Sequence, residues 1–430
     1  MRVLVLGAYG LVATPIVQRL LAAGHTVVGI GRDTAAAARR WPDASWIDRD
    51  IARLNRPEDW QALLTDVDAV VNAAGVLQDS LRDNVTALQF TAMRALYAAC
   101  RDRGIRKFVQ ISAAGASVDA PSPFMRTKGD ADSALAESGL DWVIFRPGVV
   151  LGPSAVGASA MMRALAALPF AIPLASPEMR IRTVHVDDVT DAVMRALEER
   201  VPLRAVYDLV EPESHSLAET VTAVRAWLGY PPARIWPVPR PLAALLFRLG
   251  DGLGWLGWRT PLRATAEQQM RLGIAGDPGP WSRVAQELPG LHEALRRLPA
   301  TLQERWFARL WLVKPLAIAA LSIFWIATGV IALARPDISV AILTIRGVDL
   351  TLATLLVLAG GILDIVLGTA LLVRRWLVPV SLAMIATSVL YMVTGTVVAP
   401  DYWLDPLGPF LKALSVIALT LVLLATAEDR

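Results

Sequence analysis

Gly7-Ala8-Tyr9-Gly10-Leu11-Val12-Ala13 decides how the first half of the chain is read. An apolar run, Val3-Leu4-Val5-Leu6, precedes it. A segment with helical apolar spacing, Leu11, Ile16, Val17, Leu20 and Leu21, follows and stops at Gly24. Strand, glycine turn and helix in that order make a dinucleotide-binding βα unit. Gly7 permits the tight turn. Gly10 lets backbone N–H groups of the turn, through Tyr9, Leu11 and Val12, approach a pyrophosphate at the positive end of the helix. Ala13 is small enough for that helix to pack on the strand. The spacing is G-x-x-G-x-x-A rather than G-x-G-x-x-G, and an ordinary βα turn is the plain alternative. The same opening, with Arg2 before an apolar run, reads as a strand rather than a signal peptide. Two glycines interrupt it and a second strand follows at once.

Working outward, His25 to Ile30 reads as the second strand, ending at Gly31-Arg32-Asp33. An acidic residue at this place takes the ribose 2′-OH of NAD, and an arginine favours the 2′-phosphate of NADP. Arg32 comes first, so the expectation leans to NADP, with NAD kept open by Asp33. Trp46-Ile47 is a short third strand, with Asp48 or Asp50 beyond it placed to face an adenine. Val67 to Asn72 is a fourth, ending in Ala73-Ala74-Gly75, where small residues let backbone lie against a cofactor. Leu81 to Arg103 reads as a long helix. Lys107 to Ile111 is a strand ending at Ser112, and Trp142 to Phe145 is another, followed by Arg146-Pro147-Gly148. Alternating strands and helices predict an α/β doubly wound parallel (Rossmann) sheet. Gly7, Arg32, Asn72, Ser112 and Pro147 then fall together at the carboxyl ends of its strands, where ligands of such sheets lie.

Composition divides the chain. It has 430 residues, 54% hydrophobic, with a formal net charge of only +3, which implies no nucleic-acid partner. The single cysteine, Cys100, excludes an intramolecular disulfide and a zinc-type cluster, and no metal site is expected. Four apolar stretches follow residue 310: about 314–333, 350–373, 376–398 and 407–425. Each is near the ~20 residues that cross a hydrocarbon layer, so an all-α transmembrane four-helix bundle is predicted. Arg305, Arg309 and Lys314 precede the first span, Arg374-Arg375 separate the second and third, and the last connector carries no positive residue. Positive residues mark the cytoplasmic side, which places both termini and the nucleotide domain there, in a multi-pass protein of the cell inner membrane. Arg335 and Arg346 in the 335–349 connector are a mild contrary sign. Asp364 lies inside the second span between Gly360 and Gly368, and Thr387 on the third span reaches a similar depth. It reads either as a protonatable group facing a cavity or as a packing carboxyl bonded to Thr387. The region between, 231–300, is rich in Pro, Gly, Trp and Arg. Its apolar 241–258 stretch suits an interfacial segment, a lid wall or a packed cap helix.

The combination Gly7–Ala13, Asn72-Ala73-Ala74-Gly75, Phe108–Ser112, Phe124-Met125-Arg126-Thr127-Lys128, Phe145–Pro153 and Thr183–Val189 resembles the atypical or extended short-chain dehydrogenases/reductases, closest to their NmrA-like and complex I accessory-subunit-like branches. The membrane bundle resembles the DoxX-like family. The first resemblance implies NAD(P) binding and a catalytic Tyr-x-x-x-Lys with an upstream serine. Here Ser112 and Lys128 match as catalytic candidates, and Lys128 also holds the nicotinamide ribose. The tyrosine place, however, holds Phe124, which has no proton to transfer. His185 reads either as a substrate contact or as a hydrogen-bonded structural residue. The expected domains are 1–230 for nucleotide binding, 231–310 for a substrate cap or membrane-interfacial linker, and 311–430 for the membrane. The expected function is a membrane-anchored NAD(P)-binding oxidoreductase acting on a quinone or lipid substrate from the bilayer. A non-catalytic NAD(P)-binding role in assembly or sensing is the alternative, and homo-oligomerisation stays open.

Overall fold

A computed structural model of the chain describes residues 1–80, 83–258, 273, 274, 276–406 and 408–427. The expected helix start at Leu81 and the 259–272 part of the cap region lie outside the described residues. The chain forms two compact units: Met1–Gly252 with Thr260–Ala308, and Leu253–Arg259 with Arg309–Arg430.

The first unit is built on seven parallel strands: β1 (Arg2–Leu6), β2 (Thr26–Gly31), β3 (Ser45–Asp48), β4 (Ala69–Asn72), β5 (Lys107–Ile111), β6 (Asp141–Pro147) and β7 (Ala205–Leu209). Their order across the sheet is β7-β6-β5-β4-β1-β2-β3. Alternation along β1 explains the double winding. Val3 and Val5 join one core with Ile16, Val17 and Leu20 of the first helix and Val189 and Val193 of the Val186–Leu197 helix. Leu4 and Leu6 join the other with Trp60, Met93, Leu96, Phe108 and Leu135. Period-2 side chains that are apolar on both faces demand helices on both faces. Cys100 lies in the second core, and burial pushes its thiol up to about 12, so it is a small packing residue.

β1 sits where the strand order reverses: the chain leaves it toward β2 and β3 on one side and resumes at β4 on the other. Leu6 is in register with Ile30 on one side and Asn72 on the other. The turns after β1 and β4 therefore face each other, the place where open parallel sheets bind ligands.

Local differences from the sequence reading have physical causes. The chain is not helical at Asp83 and Asn84. The Asn84 side chain accepts from the Ala87 N–H at 2.8 Å, and a π turn, Ala87–Thr91, leads into the Ala92–Asp102 helix. Ser216 caps Leu217–Trp227, in a reciprocal box with Glu219.

Among the described residues, three helices are long and apolar enough to cross a membrane: Leu302–Ala334, Leu350–Ala370 and the Leu377–Val398 helix with its lead-in from Arg374. The fourth expected span is a shorter apolar helix, Pro409–Ala425, and the 335–349 connector contains a further one, Pro336–Ile345. Asp364 is not bonded to Thr387. Its two oxygens accept from Thr328 Oγ1 on the first span at 3.3 Å and from Tyr391 OH on the third at 3.1 Å. Tyr391 stands one turn beyond Thr387, and its longer side chain spans the gap that a threonine leaves open. The glycines around Asp364 divide between two neighbours. A Cβ at Gly360 would meet Tyr391 OH at 3.0 Å, whereas Gly361 and Gly368 pack on the first span.

Candidate functional site

The floor of the crevice is the turn after β1. Gly7 has φ +67°, and a Cβ there would lie 3.0 Å from Ala74 Cα and 3.3 Å from the Ala73 oxygen. Only glycine satisfies both the backbone angle and this approach. The Gly7 N–H donates to Ile30 O at 2.9 Å, and the Gly10 N–H closes the turn onto Gly7 O at 2.8 Å. The helix Ala13–Ala22 then begins after Val12 with no side-chain cap and no acidic residue in its first turn. The N–H groups at this end are left for a ligand or water, and the dipole favours a negative one. Leu11 and Val12 flank the turn half-buried.

At the β2 end, Tyr9 OH donates to the Arg32 carbonyl oxygen. The Arg32 guanidinium pairs with Asp83 at 2.5 Å, and Asp33 takes φ +58°. Burial raises the Tyr9 hydroxyl above its ordinary range. Asp50 is already engaged: its Oδ1 accepts from the Ala52 N–H at 3.2 Å and caps the short Ile51–Arg53 turn. Pro147 is buried at the end of β6, and its oxygen accepts from the Ala114 N–H at 2.9 Å.

Lys128 reaches the crevice from the Pro123–Ala136 helix, which Ser122 caps. It is 5% exposed. Its Nζ donates to Ala74 O at 3.2 Å and Ile111 O at 2.9 Å, tying the turn after β4 to the end of β5. An ammonium has three protons, so two are used and one remains for a ligand. Burial lowers Lys128 to about 8, against the opposing pull of Asp132. Gly75 lies over this ammonium: a Cβ there would be 3.4 Å from Lys128 Nζ and 3.2 Å from Gln89 Oε1.

One turn further along the same helix is Asp132, which the sequence reading missed. Its Oδ2 accepts from Ser112 Oγ at 2.8 Å and from Arg146 Nε and Nη2 at 3.0 and 2.9 Å. Burial raises the Asp132 carboxyl, while Arg146, Ser112 and Lys128 pull it back. Its only sequence signal is the four-residue step from Lys128, which puts both on one helix face. Phe124 is half-buried beside Ala113, Ala116, Ala120 and Met125. A Cβ at Gly129 would lie 2.3 Å from the Ser117 carbonyl carbon, so glycine there lets the loop after Ser112 rest on the helix. His185 is buried: its Nδ1 accepts from the Asp187 N–H at 3.2 Å and caps Val186–Leu197, while its Nε2 has no protein partner among the described residues. Among the described residues, no three His, Cys, Asp or Glu converge as a metal site.

Comparison with known proteins supports NAD(P)H binding by a fold of this kind. Residues 7–200 match the NAD(P)H-binding family model, and residues 322–421 match the DoxX-like family. A 3-diazoavenalumate denitrifying reductase of Streptomyces is 29% identical over 309 residues, 65% of this chain and 96% of that protein. An NAD(P)H azoreductase of Xenophilus azovorans is 25% identical over 229 residues, 53% of this chain and 74% of the azoreductase. Among solved structures, the Bordetella bronchiseptica enzyme WbmH in complex with NAD+ covers 69% of this chain and 96% of its own at 21% identity. Its TM-score of 0.51 is a likeness of fold. The protein joins an NAD(P)H-binding Rossmann domain to a DoxX-like domain.

The buried lysine gives a direct test. The chain has only four lysines, Lys107, Lys128, Lys314 and Lys412. With ε-¹³C-lysine in the full chain, one of the four signals is expected to titrate near pH 8 and to vanish in Lys128→Arg. Above that pH the native state has lost a proton that the unfolded chain still holds. Lys128 therefore adds stability as pH rises from about 8 toward the ordinary lysine range. Four signals titrating together near the ordinary value would show that Lys128 is not desolvated.

Proposed function

We propose that the protein is a membrane-bound NADPH-dependent reductase of an apolar acceptor, such as a quinone or lipid carbonyl. The observation that carries this reading is Lys128, a buried ammonium with a spare proton under Ala74 and Gly75 at the sheet's switch point. The site fits the dinucleotide. Gly7 leaves a cradle that a side chain would fill, Gly10 closes the turn without a side chain in the way, and the uncapped helix start would meet a pyrophosphate with the N–H groups of Leu11 and Val12. Tyr9 and Arg32 would line the adenosine end with Asp50 beyond them, and Ala73, Ala74, Gly75 and Pro147 the nicotinamide end. The bound nicotinamide supplies a hydride. Lys128 would hold the ribose hydroxyls. Ser112 would bind the acceptor's oxygen, but its proton is engaged with Asp132 and reaches a substrate only by leaving that bond. A non-catalytic role is the second reading, and Phe124 favours it.

The proposed orientation puts the nucleotide domain and both termini on the cytoplasmic side of the inner membrane. Arg335 and Arg346, in the 335–349 connector, are the contrary signs. Arg346 pairs with Asp401 at 2.7 Å and lies over the Tyr402 ring, so its charge is offset within that end of the bundle. A reporter fused after Arg430 is expected to be cytoplasmic, and a tag at Asp405 accessible from outside. A periplasmic signal at Arg430 would reverse the assignment.

Cofactor choice follows from Arg32. Calorimetry on the full chain in detergent is expected to give tighter binding of NADPH than NADH, and Arg32→Ala should erase the difference. An unchanged ratio would remove Arg32 from cofactor selection.

The activity itself is tested by NADPH consumption in nanodiscs over a panel of small ketones and short-chain quinones. With Phe124 at the proton donor's place, the native protein should be slow on soluble ketones. Phe124→Tyr restores a hydroxyl one turn from Lys128, and a positioned general acid contributes roughly 10²–10⁴-fold. Cofactor affinity should stay as it was. Vigorous ketone reduction by the native protein would place the donor elsewhere. No turnover of any acceptor by either form would leave the non-catalytic reading.

A further inference from the structure

The helix Arg240–Trp255 carries three distinct faces. At ~100° per residue, Leu242, Leu245, Leu246, Leu249 and Leu253 fall within an arc of about 100°. All five are exposed, from 40% at Leu246 to 58% at Leu249. Ala243, Phe247, Gly250 and Gly254 form a neighbouring buried stripe. Arg240, Arg248 and Asp251 occupy the remaining arc, away from the leucines. A buried stripe already satisfies the packing of this helix against protein. The five-leucine face is a second apolar surface, and nothing in a helix's own stability requires it.

The C-terminal end of the helix says what covers that face. Residues Leu253–Arg259 belong to the membrane unit. The Arg374 N–H donates to Leu256 O at 3.1 Å, and Trp258 Nε1 donates to Leu372 O at 2.7 Å. Trp258 also packs on the cluster formed by Ile318, Leu321, Leu371 and Leu377. These contacts lie at the junction between the end of Leu350–Ala370 and the start of Leu377–Val398. An apolar span ends where hydrocarbon gives way to headgroups, and arginine and tryptophan gather at that level. Arg374, Arg375 and Trp376 mark it here, with Arg375 stacked 4.8 Å from the Trp376 ring. Trp255, 71% exposed, is the last residue of the helix and stands three residues from Trp258.

We propose that Arg240–Trp255 is a monotopic membrane helix, lying in the lipid–water interface with its five leucines among the acyl chains. A helix anchored at the boundary level by one end, apolar along one arc and charged away from it, is stable lying flat in that boundary. It gives the protein a membrane contact separate from its spans, whether or not the nucleotide domain turns over a substrate.

The test uses the full chain in phosphatidylcholine–phosphatidylglycerol nanodiscs with nitroxide labels on single introduced cysteines. Native Cys100 is buried and its thiol poorly ionised, so it stays in place unlabelled. Labels at Leu245→Cys and Leu249→Cys should collide with oxygen several-fold more often, relative to a water-soluble nickel chelate, than a label at Arg248→Cys. A lipid carrying a photoreactive acyl chain should crosslink to residues on the leucine face and not to Arg248. Equal nickel access at all three sites would mean that the leucines face water, and the proposal fails. Exclusion of both reagents at 245 and 249, with a dipolar distance between labels on two molecules, would mean that a second copy covers the face, and the proposal fails equally.

Discussion

A single buried ammonium holds the crevice in shape. The carbonyls of Ala74 and Ile111 belong to chain segments that leave neighbouring strands, and both are too buried to be left to water. Lys128 answers both. Its position is over-determined: the helix that carries it starts at the Ser122 cap, and the loop after Ser112 rests on Gly129, where a Cβ would lie 2.3 Å from backbone. The same lysine lies under Gly75, beside the approach of Gly7 to Ala73 and Ala74. The turn after β1 and the two turns beside it thus form one assembly, fixed by a charge, two glycines and the reversal of strand order between β1 and β4.

The charge has a counterpart that shapes the chemistry. Asp132 gathers Ser112 and both reachable nitrogens of Arg146 on one oxygen. Three donors on that oxygen favour the carboxylate, in opposition to burial. In a site with a tyrosine at position 124, the serine would be a secondary donor. Without one, Ser112 is the hydroxyl that the motif leaves for this task, and its proton is already committed to Asp132. This arrangement is well suited to holding a dinucleotide and less well prepared to protonate an ordinary ketone. An acceptor that needs little help from a general acid is the better chemical match, which among the proposed substrates favours a quinone over a lipid carbonyl.

The parts legible in the sequence were those written locally. The alternation of Val3 and Val5 with Leu4 and Leu6 announces a strand covered on both faces. The spacing of Gly7, Gly10 and Ala13 announces the turn. Lys128 and Ser112 were found because a motif names them at fixed positions. What stayed hidden needs the third dimension. Asp132 meets Ser112 across 20 residues and Arg146 across 14, and Arg32 meets Asp83 across 51. Depth counting put Thr387 near Asp364, but depth does not fix rotation or reach, and Tyr391 and Thr328 take that place. The fourth apolar stretch was legible as apolar, but its length was not, because Gly408 in a left-handed turn delays the helix to Pro409.

The composite nature of the chain follows from how apolar surface is disposed of in each half. In the Rossmann domain it is buried against other protein: every side chain from Val3 to Leu6 is fully covered. In the DoxX-like domain Leu355, Ile362, Val366 and Leu390 are all more than half exposed, while the closest contacts run through glycines and a few polar groups such as Ser322, which bonds Gly368 O at 2.7 Å. Such surface is tolerable only in a solvent that does not penalise it, and small residues with internal hydrogen bonds are how helices associate in that solvent. The Arg240–Trp255 helix shares both habits: a buried stripe of Ala243, Phe247, Gly250 and Gly254 and an open face of leucines. A helix with a protein-facing stripe on one side and an open leucine face on the other has the two surfaces that the proposed interfacial position requires.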